Sequence, residues 1–360
     1  MGGVRRAALT TVPSLCVVLP GPVDTATGGY RYDRQMIAEL RALQWHVDVR
    51  ELPARFPFPD DAARDAARAL FAQLPDGAVT LVDGLAYGVL GDVVAPHAAR
   101  LRLAALVHHP LHAETGLDPS QQRRLFDAER RALSMARRVF VTSEATSALM
   151  QAAGLVTVAP CVVVPGTTRA PLRPRREDPH TRLLCVATLT PRKAHALLLD
   201  SLATLRALPW TLTCVGSTRM HPPTTAALER QIAALGLVDR VRLHGECEPD
   251  ELRALHLESD VFVLASAFEG YGMAVAEALA QGLPVVASRT GAAASLVGDA
   301  GLLVDPGDGA ALTGALRQLL ADVGRREAFA ARARARSAML PRWEESAAQM
   351  AGELARLVQP

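Results

Sequence analysis

The chain has 360 residues, 49% of them hydrophobic, a length that predicts two domains of about 100–200 residues each. Its 39 basic and 37 acidic residues leave a net charge of +2, and aromatic residues make up only 4%, which argues against a nucleic-acid-binding protein. The five cysteines are widely spaced and form no CxxC motif, which favours buried free thiols and a cytoplasmic location.

Short apolar runs alternate with longer helical patterns along the first half of the chain. The predicted strands are Leu15–Leu19, Val47–Arg50, Val79–Val82, Leu103–Val107, Arg138–Val141 and Val162–Val164. The predicted helices between them include Tyr32–Leu43, Asp61–Leu74 and Gln121–Ala136. Because prolines flank the first run, we interpret it as a strand rather than as a signal peptide. No apolar run reaches the roughly 18 residues that a transmembrane helix requires.

The same alternation returns after a segment rich in proline and arginine, residues 166–180, which is predicted to be a linker. The strands predicted beyond it are Leu183–Ala187, Thr211–Val215, Val241–Leu243, Val261–Leu264, Pro284–Ala287 and Leu302–Val304. The predicted helices include Ala194–Leu208, Thr224–Leu235, Met273–Gln281, Ala310–Ala321 and a last one near residues 341–357. Each half is therefore expected to be a doubly wound α/β domain, over residues 1–165 and 181–340.

Two carboxylates flank a glycine turn in the second half. Glu269 and Glu277 lie on either side of Gly270 and Gly272, where the strand Val261–Leu264 leads into a helix. The start of a helix offers N–H groups and a positive dipole end to a phosphate, whereas ionised carboxylates accept hydrogen bonds from sugar hydroxyls. The segment therefore indicates a nucleotide-sugar site, although the two glutamates alone would also fit a solvated helix face.

With its flanking segments Ser259–Ser266 and Glu277–Ala287, this stretch fits the E-x7-E pattern, and the chain resembles the retaining glycosyltransferases of family 4. The resemblance covers nearly the whole chain and is strongest from residue 180 to residue 308. It implies the GT-B fold, in which two Rossmann-like domains face a cleft and the segment 341–360 crosses back to the first. The implied reaction moves a hexose from a UDP- or GDP-linked donor to an unidentified acceptor hydroxyl, with retention of configuration.

The resemblance also implies roles for the residues of this motif. Glu277 would accept hydrogen bonds from ribose hydroxyls and Glu269 from hexose hydroxyls. The diphosphate would contact the backbone N–H groups of Gly270, Tyr271, Gly272 and Met273.

Further site residues are expected on other loops. Lys193 would stabilise the charge that grows on the leaving diphosphate. His108 would lie on the acceptor side of the sugar, with His109 as the competing choice. Gly29, in a strand-to-helix turn, and Gly216, at a strand end where a helix N-terminus could face the donor, complete the predicted site.

One position departs from the family pattern. Many members have Gly-Arg where this chain has Ala187-Thr188, so the second phosphate cation is either missing or supplied by Arg192. The chain contains no Asp-x-Asp, no G-x-G-x-x-G, no Walker A motif and no zinc-ligand spacing. We therefore expect no metal and no cofactor beyond the sugar nucleotide as co-substrate.

Two other functions stay open at this point. A non-catalytic nucleotide-sugar binding protein would fit Thr188, and a sugar-nucleotide epimerase would need further acid/base residues near the sugar. An NAD-linked oxidoreductase is disfavoured without the glycine fingerprint. Peripheral membrane contact through basic residues such as Arg5 and Arg123 is also left open.

Overall fold

The computed structural model describes residues 12–168, 171–172 and 178–358. In these ranges the chain forms two six-stranded sheets with parallel strand pairing. Helices cover such sheets on both faces, which is why a strand such as Val261–Leu264 is apolar throughout and fully buried. The doubly wound α/β class predicted from the alternating pattern is confirmed.

The first sheet has the strand order β2-β1-β3-β4-β5-β6. Its strands are β1 (Ser14–Leu19), β2 (His46–Glu51), β3 (Val79–Asp83), β4 (Arg102–Val107), β5 (Arg138–Val141) and β6 (Cys161–Val162). The helices between them are α1 (Gly28–Ala42), α2 (Asp61–Gln73), α3 (Gly84–Tyr87), α4 (Gly91–Val94), α5 (Pro119–Leu133) and α6 (Glu144–Ala152). Two 3₁₀ turns lie at Ala95–His97 and Leu111–Ala113.

The second sheet has the order β12-β11-β10-β7-β8-β9. Its strands are β7 (Thr181–Val186), β8 (Trp210–Val215), β9 (Val241–Gly245), β10 (Val261–Leu264), β11 (Val285–Ser288) and β12 (Gly301–Val304). A 3₁₀ turn, Pro191–Lys193, follows β7. The helices are α7 (His195–Ala203), α8 (Pro222–Ala234), α9 (Pro249–Glu258), α10 (Met273–Ala280), α11 (Ala293–Val297), α12 (Gly309–Ala321) and α13 (Val323–Ser337).

A last helix, α14 (Trp343–Val358), packs on the first sheet although its sequence follows the second. Its residues Trp343 and Met350 are buried in the same hydrophobic core as β1. The chain approaches this helix closely at Gly166, where an added Cβ would collide with the backbone of Trp343. Next to it, the backbone N–H of Thr167 donates to the carbonyl of Pro341 over 2.8 Å.

The predicted strands match the observed ones to within about two residues, whereas several helices differ. The predicted helix Ala194–Leu208 already ends at Ala203, and the following turn lets the indole N–H of Trp210 donate to the carbonyl of Leu205 over 3.0 Å. The sequence did not predict α3, α4, α9, α11 and α13. Residues 169–170 and 173–177 of the predicted linker, and Arg5, lie outside the described residues.

None of the helices in the described ranges combines the length and the apolar character that a bilayer span requires.

Candidate active site

Loops from both sheets meet in one cleft, at the carboxyl ends of their strands. From the first sheet, Asp83 ends β3 and His108 follows β4. From the second sheet, the turn Pro191–Lys193 follows β7 and Glu269 follows β10. The two sets of loops touch, because a Cβ placed on Gly270 would lie 2.5 Å from the carbonyl oxygen of His108. Doubly wound sheets bind their ligands at this edge.

Lys193 and Glu269 form an ion pair in this cleft. Nζ of Lys193 lies 2.5 Å from Oε1 of Glu269, and both side chains are largely buried. Burial alone would raise the pKa of Glu269, but the Lys193 ammonium holds this pKa below its ordinary value. Glu269 is therefore ionised and able to accept hydrogen bonds, while two of the three donors of the ammonium remain for a ligand.

Lys193 is also the only lysine in the sequence, and the other basic residues counted with it are all arginines. An ammonium is a compact point charge with three rotatable donors, whereas a guanidinium is a planar fork, so the two groups are not interchangeable at a phosphate site. A chain that uses arginine at every other basic position keeps an ammonium here. This signal in the composition supports Lys193 independently of the motif around it.

The turn from Gly270 to Met273 leads directly into α10. Gly272 has a φ of 93°, in the left-handed region that favours glycine. Within the described residues no side chain caps the N-terminus of α10, so its first N–H groups and its positive dipole end are available to an anion. The side chain of Tyr271 is packed in the core of the second domain.

Gly291, after β11, fixes the position of Glu269 and was not identified from the sequence. An added Cβ there would collide with the carbonyl oxygen of Glu269, and Gly291 has a φ of 50°. The next residue, Ala292, donates its N–H to the carbonyl of Gly270 over 3.3 Å. The loop after β11 is therefore the support on which the glutamate turn rests.

Glu277 pairs with a residue of the first domain. Its Oε1 lies 2.7 Å from the guanidinium of Arg31, in the first turn of α1. Burial raises the pKa of Glu277, and Arg31 opposes that rise. Glu277, the residue predicted to bind the ribose, is thus held in place by Arg31, a cation that the sequence did not reveal.

His108 lies between two buried carboxylates, Asp33 of α1 and Asp83. Its Nε2 is 3.2 Å from Asp33 Oδ1 and 3.5 Å from Asp83 Oδ2. Burial lowers the pKa of His108, but the two carboxylates outweigh burial and the net shift is upward. Burial and the neighbouring Asp33 raise the pKa of Asp83 to about 7. The pKa values of His108 and Asp83 are therefore linked, because each charge favours the other.

The neighbouring His109 packs across the cleft. Its ring centroid lies 4.3 Å from that of Phe268, and burial lowers the pKa of His109 to about 4. Arg192, at the same place, lies 3.2 Å from Glu114 and donates to the carbonyl of Phe268 over 2.9 Å. His109 and Arg192 therefore join the two domains, which favours His108 over His109 as the histidine for a substrate.

The two remaining glycines of the predicted site differ in their surroundings. A Cβ on Gly29 would lie 3.3 Å from the ring of His108, so this glycine lets α1 begin beside the histidine. Gly216 donates its N–H to Gly245 over 2.9 Å, and a Cβ there would collide with the carbonyl of Ala187. Helix α8 begins at Pro222, close to the predicted start at Thr224. The contact of Gly216 with a donor stays a prediction.

Motif-based prediction missed Asp33, Asp83 and Arg31. A signal existed for Asp33, because it shares the apolar face of α1 with Met36, Ile37 and Leu40, where a carboxylate is out of place. Asp83 ends a fully buried strand at the same sheet edge as His108. Arg31 carries no such signal, since its partner lies far away in the sequence.

Three groups of side chains in the described residues bring possible metal ligands within 4.8 Å of one another: Asp33, Asp83 and His108; Cys185, His195 and Cys214; and His244, Cys247 and Glu251. In the buried second group, His195 Nε2 lies 3.7 Å from Cys185 Sγ, a contact that ties α7 to β7. Each group offers three ligands, whereas a structural zinc site usually has four. The expectation that no metal or cofactor is needed stays a prediction.

Comparison with known proteins gives the site a context. Residues 172–336 match the family model described as Glycosyl transferases group 1. An MMP alpha-(1->4)-mannosyltransferase from Mycolicibacterium hassiacum is 27% identical to this chain, and the aligned region covers 96% of this chain and 84% of the relative. The resemblance predicted from the sequence is thereby confirmed.

Two solved structures are similar over almost the whole chain. Sucrose-phosphate synthase from Thermosynechococcus elongatus superimposes with a TM-score of 0.80 at 22% identity, covering 96% of this chain and 98% of that one. HepE from Anabaena, in complex with UDP and glucose, gives a TM-score of 0.76 at 20% identity, covering 94% and 99%. At this identity the similarity establishes the fold, and the predicted GT-B architecture is confirmed.

Proposed function

We propose that the chain moves a hexose from a nucleoside diphosphate sugar to an acceptor hydroxyl, because residues 172–336 match the glycosyl transferases group 1 family model. The family and the mannosyltransferase relative support a hexosyltransferase as the coarse activity. The finer parts of the proposal are a UDP- or GDP-linked donor, retention of configuration and independence of metal ions. HepE, which binds UDP and glucose, supports the donor class.

The ion pair of Lys193 and Glu269 carries this proposal. When the bond between C1 of the hexose and the diphosphate oxygen breaks, negative charge grows on that oxygen. The Lys193 ammonium offsets the charge, and in a largely buried site such an interaction is stronger than in water. Ionised Glu269, 2.5 Å away, accepts hydrogen bonds from hexose hydroxyls and orients the ring.

The acceptor side of the proposal centres on His108. Asp33 and Asp83 hold its Nε2, which leaves Nδ1 for a sugar or acceptor hydroxyl. For retention, the acceptor oxygen attacks C1 on the face from which the diphosphate departs. The new bond joins C1 to the acceptor oxygen, and the acceptor proton passes to the leaving diphosphate oxygen.

The test is incubation with UDP- and GDP-linked hexoses, with and without a fraction of cell extract as the source of acceptor, in the presence of EDTA. We expect nucleotide release that depends on the acceptor, and a product whose anomeric signal in NMR has the configuration of the donor. Binding without release would identify a nucleotide-sugar binding protein. Conversion of the free sugar nucleotide into its epimer would indicate an epimerase. Inversion would contradict retention of configuration, and loss of activity in EDTA would contradict independence of metal ions.

Two variants test the residue roles. Lys193→Ala and Glu269→Gln should each lower kcat by about 100-fold or more, whereas Arg50→Gln, at an exposed pair on the edge strand β2, should not. Because Lys193 is the only lysine, an amine reagent can modify only its ammonium and the chain's α-amino group. UDP or GDP should protect Lys193 from labelling, and unprotected labelling together with normal Lys193→Ala kinetics would remove Lys193 from the site.

A further inference from the structure

Arg31 and Glu277 form an ion pair between the two domains, with 2.7 Å between the guanidinium and Oε1. The Glu277 side chain is 16% exposed, whereas that of Arg31 is 38% exposed and therefore still accessible from the cleft. Glu277 is buried enough that ionisation is unfavourable without a partner. In the absence of a ligand, Arg31 is the cation that opposes this penalty.

The surroundings of this pair suit a phosphate. Arg31 lies in the first turn of α1, and Glu277 lies about one turn after the start of α10. In the described part of the chain, the N-termini of both helices lack a side-chain cap and an acidic residue in the first turn. The ion pair therefore links the early turns of two helices, and the free N–H groups at such helix starts favour an anion.

Two further cations beside the glutamate turn also contact protein groups. Lys193 pairs with Glu269, and Arg192 contacts both Glu114 and the carbonyl of Phe268. Thr188, where many members of the resembling family have arginine, carries no charge. A diphosphate carries more than one negative charge, so a single ammonium leaves part of that charge without a cation.

Resting on the proposed function, we propose that Arg31 is the second phosphate-binding cation of the donor site and takes the place of the arginine missing at residue 188. Ribose hydroxyls and Arg31 compete for the same carboxylate of Glu277. When the ribose binds, it displaces the guanidinium. The first phosphate is attached to C5′ of this ribose, so the freed guanidinium lies beside it and can form a bidentate contact.

The experiment separates the ribose from the phosphates by titrating Arg31→Gln with nucleosides and nucleoside diphosphates in a calorimeter. We expect the affinity for UDP or GDP to fall by about 10- to 100-fold, as for a lost charged hydrogen bond. The affinity for uridine or guanosine should stay equal or rise, because the competitor for Glu277 is gone. Arg31→Lys should recover part of the diphosphate affinity, and Arg50→Gln is the matched control.

Equal losses for nucleoside and diphosphate, or tighter binding of both, would overturn the proposal. A second variant keeps the test independent of folding. Adding Thr188→Arg to Arg31→Gln should restore the affinity for UDP or GDP, because it supplies a phosphate cation from the other domain. An affinity that stays low in this double variant would count against the proposal. If wild type transfers hexose while Arg31→Gln binds UDP and GDP normally, only this proposal fails. If wild type binds neither UDP nor GDP, the proposed function fails with it.

Discussion

Nε2 of His108 lies 3.2 Å from Oδ1 of Asp33, a residue of α1 that is 3% exposed. Asp83 approaches the same nitrogen to 3.5 Å, so both carboxylates act on one side of the ring. The opposite edge of the His108 ring therefore points away from the carboxylates. The two buried carboxylates raise the pKa of the ring. His108 is the most exposed member of the group that it forms with these two buried carboxylates.

Asp33→Asn should move the pH dependence of transfer. The raised pKa of His108 depends on Asp33 and Asp83, so removing one charge lowers that pKa. The limb of the kcat profile that reports His108 should shift to lower pH, and kcat at neutral pH should change by about tenfold. A pH–rate series with Asp48→Asn as a remote control checks this. An unshifted limb would mean that Asp33 only packs against the ring.

Glu129→Gln should flatten the pH dependence of stability. Glu129 is fully buried, accepts the N–H of Leu111 over 3.0 Å, and burial raises its pKa to about 8. The folded state keeps this proton from about pH 4.5 to 8 while the unfolded chain releases it, so stability falls as pH rises through that window. The variant should gain roughly 1–3 kcal/mol over wild type at pH 8.5 relative to pH 4.

Urea unfolding at these two pH values measures this gain, with Asp127→Asn on the same helix as the control. An equal pH slope for wild type and Glu129→Gln would show that Glu129 is ionised in the folded protein.

Ser143→Ala should loosen the contact between the two domains. Its Oγ accepts from the N–H of Thr146 at the start of α6, as a helix cap, and donates to the carbonyl of Gly270 over 2.9 Å. Asp60→Ala removes a comparable cap, at α2, far from the cleft. Both variants should lose about 1 kcal/mol of stability, but only Ser143→Ala should raise KM for the donor. Equal KM values for the two variants would show that Ser143 acts only as a helix cap.

Gly291→Ala should displace Glu269. The new Cβ collides with the carbonyl of Glu269, and φ at Gly291 is positive. Gly154→Ala is the matched control, because φ there is 71° and no atom lies within 4 Å of an added Cβ. Both substitutions should cost about 1 kcal/mol for the backbone conformation, and only Gly291→Ala should lower kcat by tenfold or more. Full activity in Gly291→Ala would show that the loop after β11 can shift without displacing Glu269.

The strands could be predicted from the sequence because burial on both faces leaves a continuous apolar signal, as in Val261–Leu264. The donor-side residues could be predicted because Glu269 to Glu277 is one local strand–turn–helix unit. Arg31 could not be predicted, and the sequence marks Asp33 only as a carboxylate on the apolar face of α1. The roles of both residues depend on partners that the packing of α1 against other loops and the second domain brings close. Short helices such as α3 and α4 contain too few turns to show a period.

The position of α14 has a consequence for the order of events during synthesis. The core of the first domain includes Trp343 and Met350, which leave the ribosome only after the whole second domain has been made. The core of the second domain is instead built from one continuous stretch of chain, residues 183–333. The domain made first can therefore complete its core only after the domain made second has been translated, and until then the face of β1 and α1 that receives Trp343 lacks its cover.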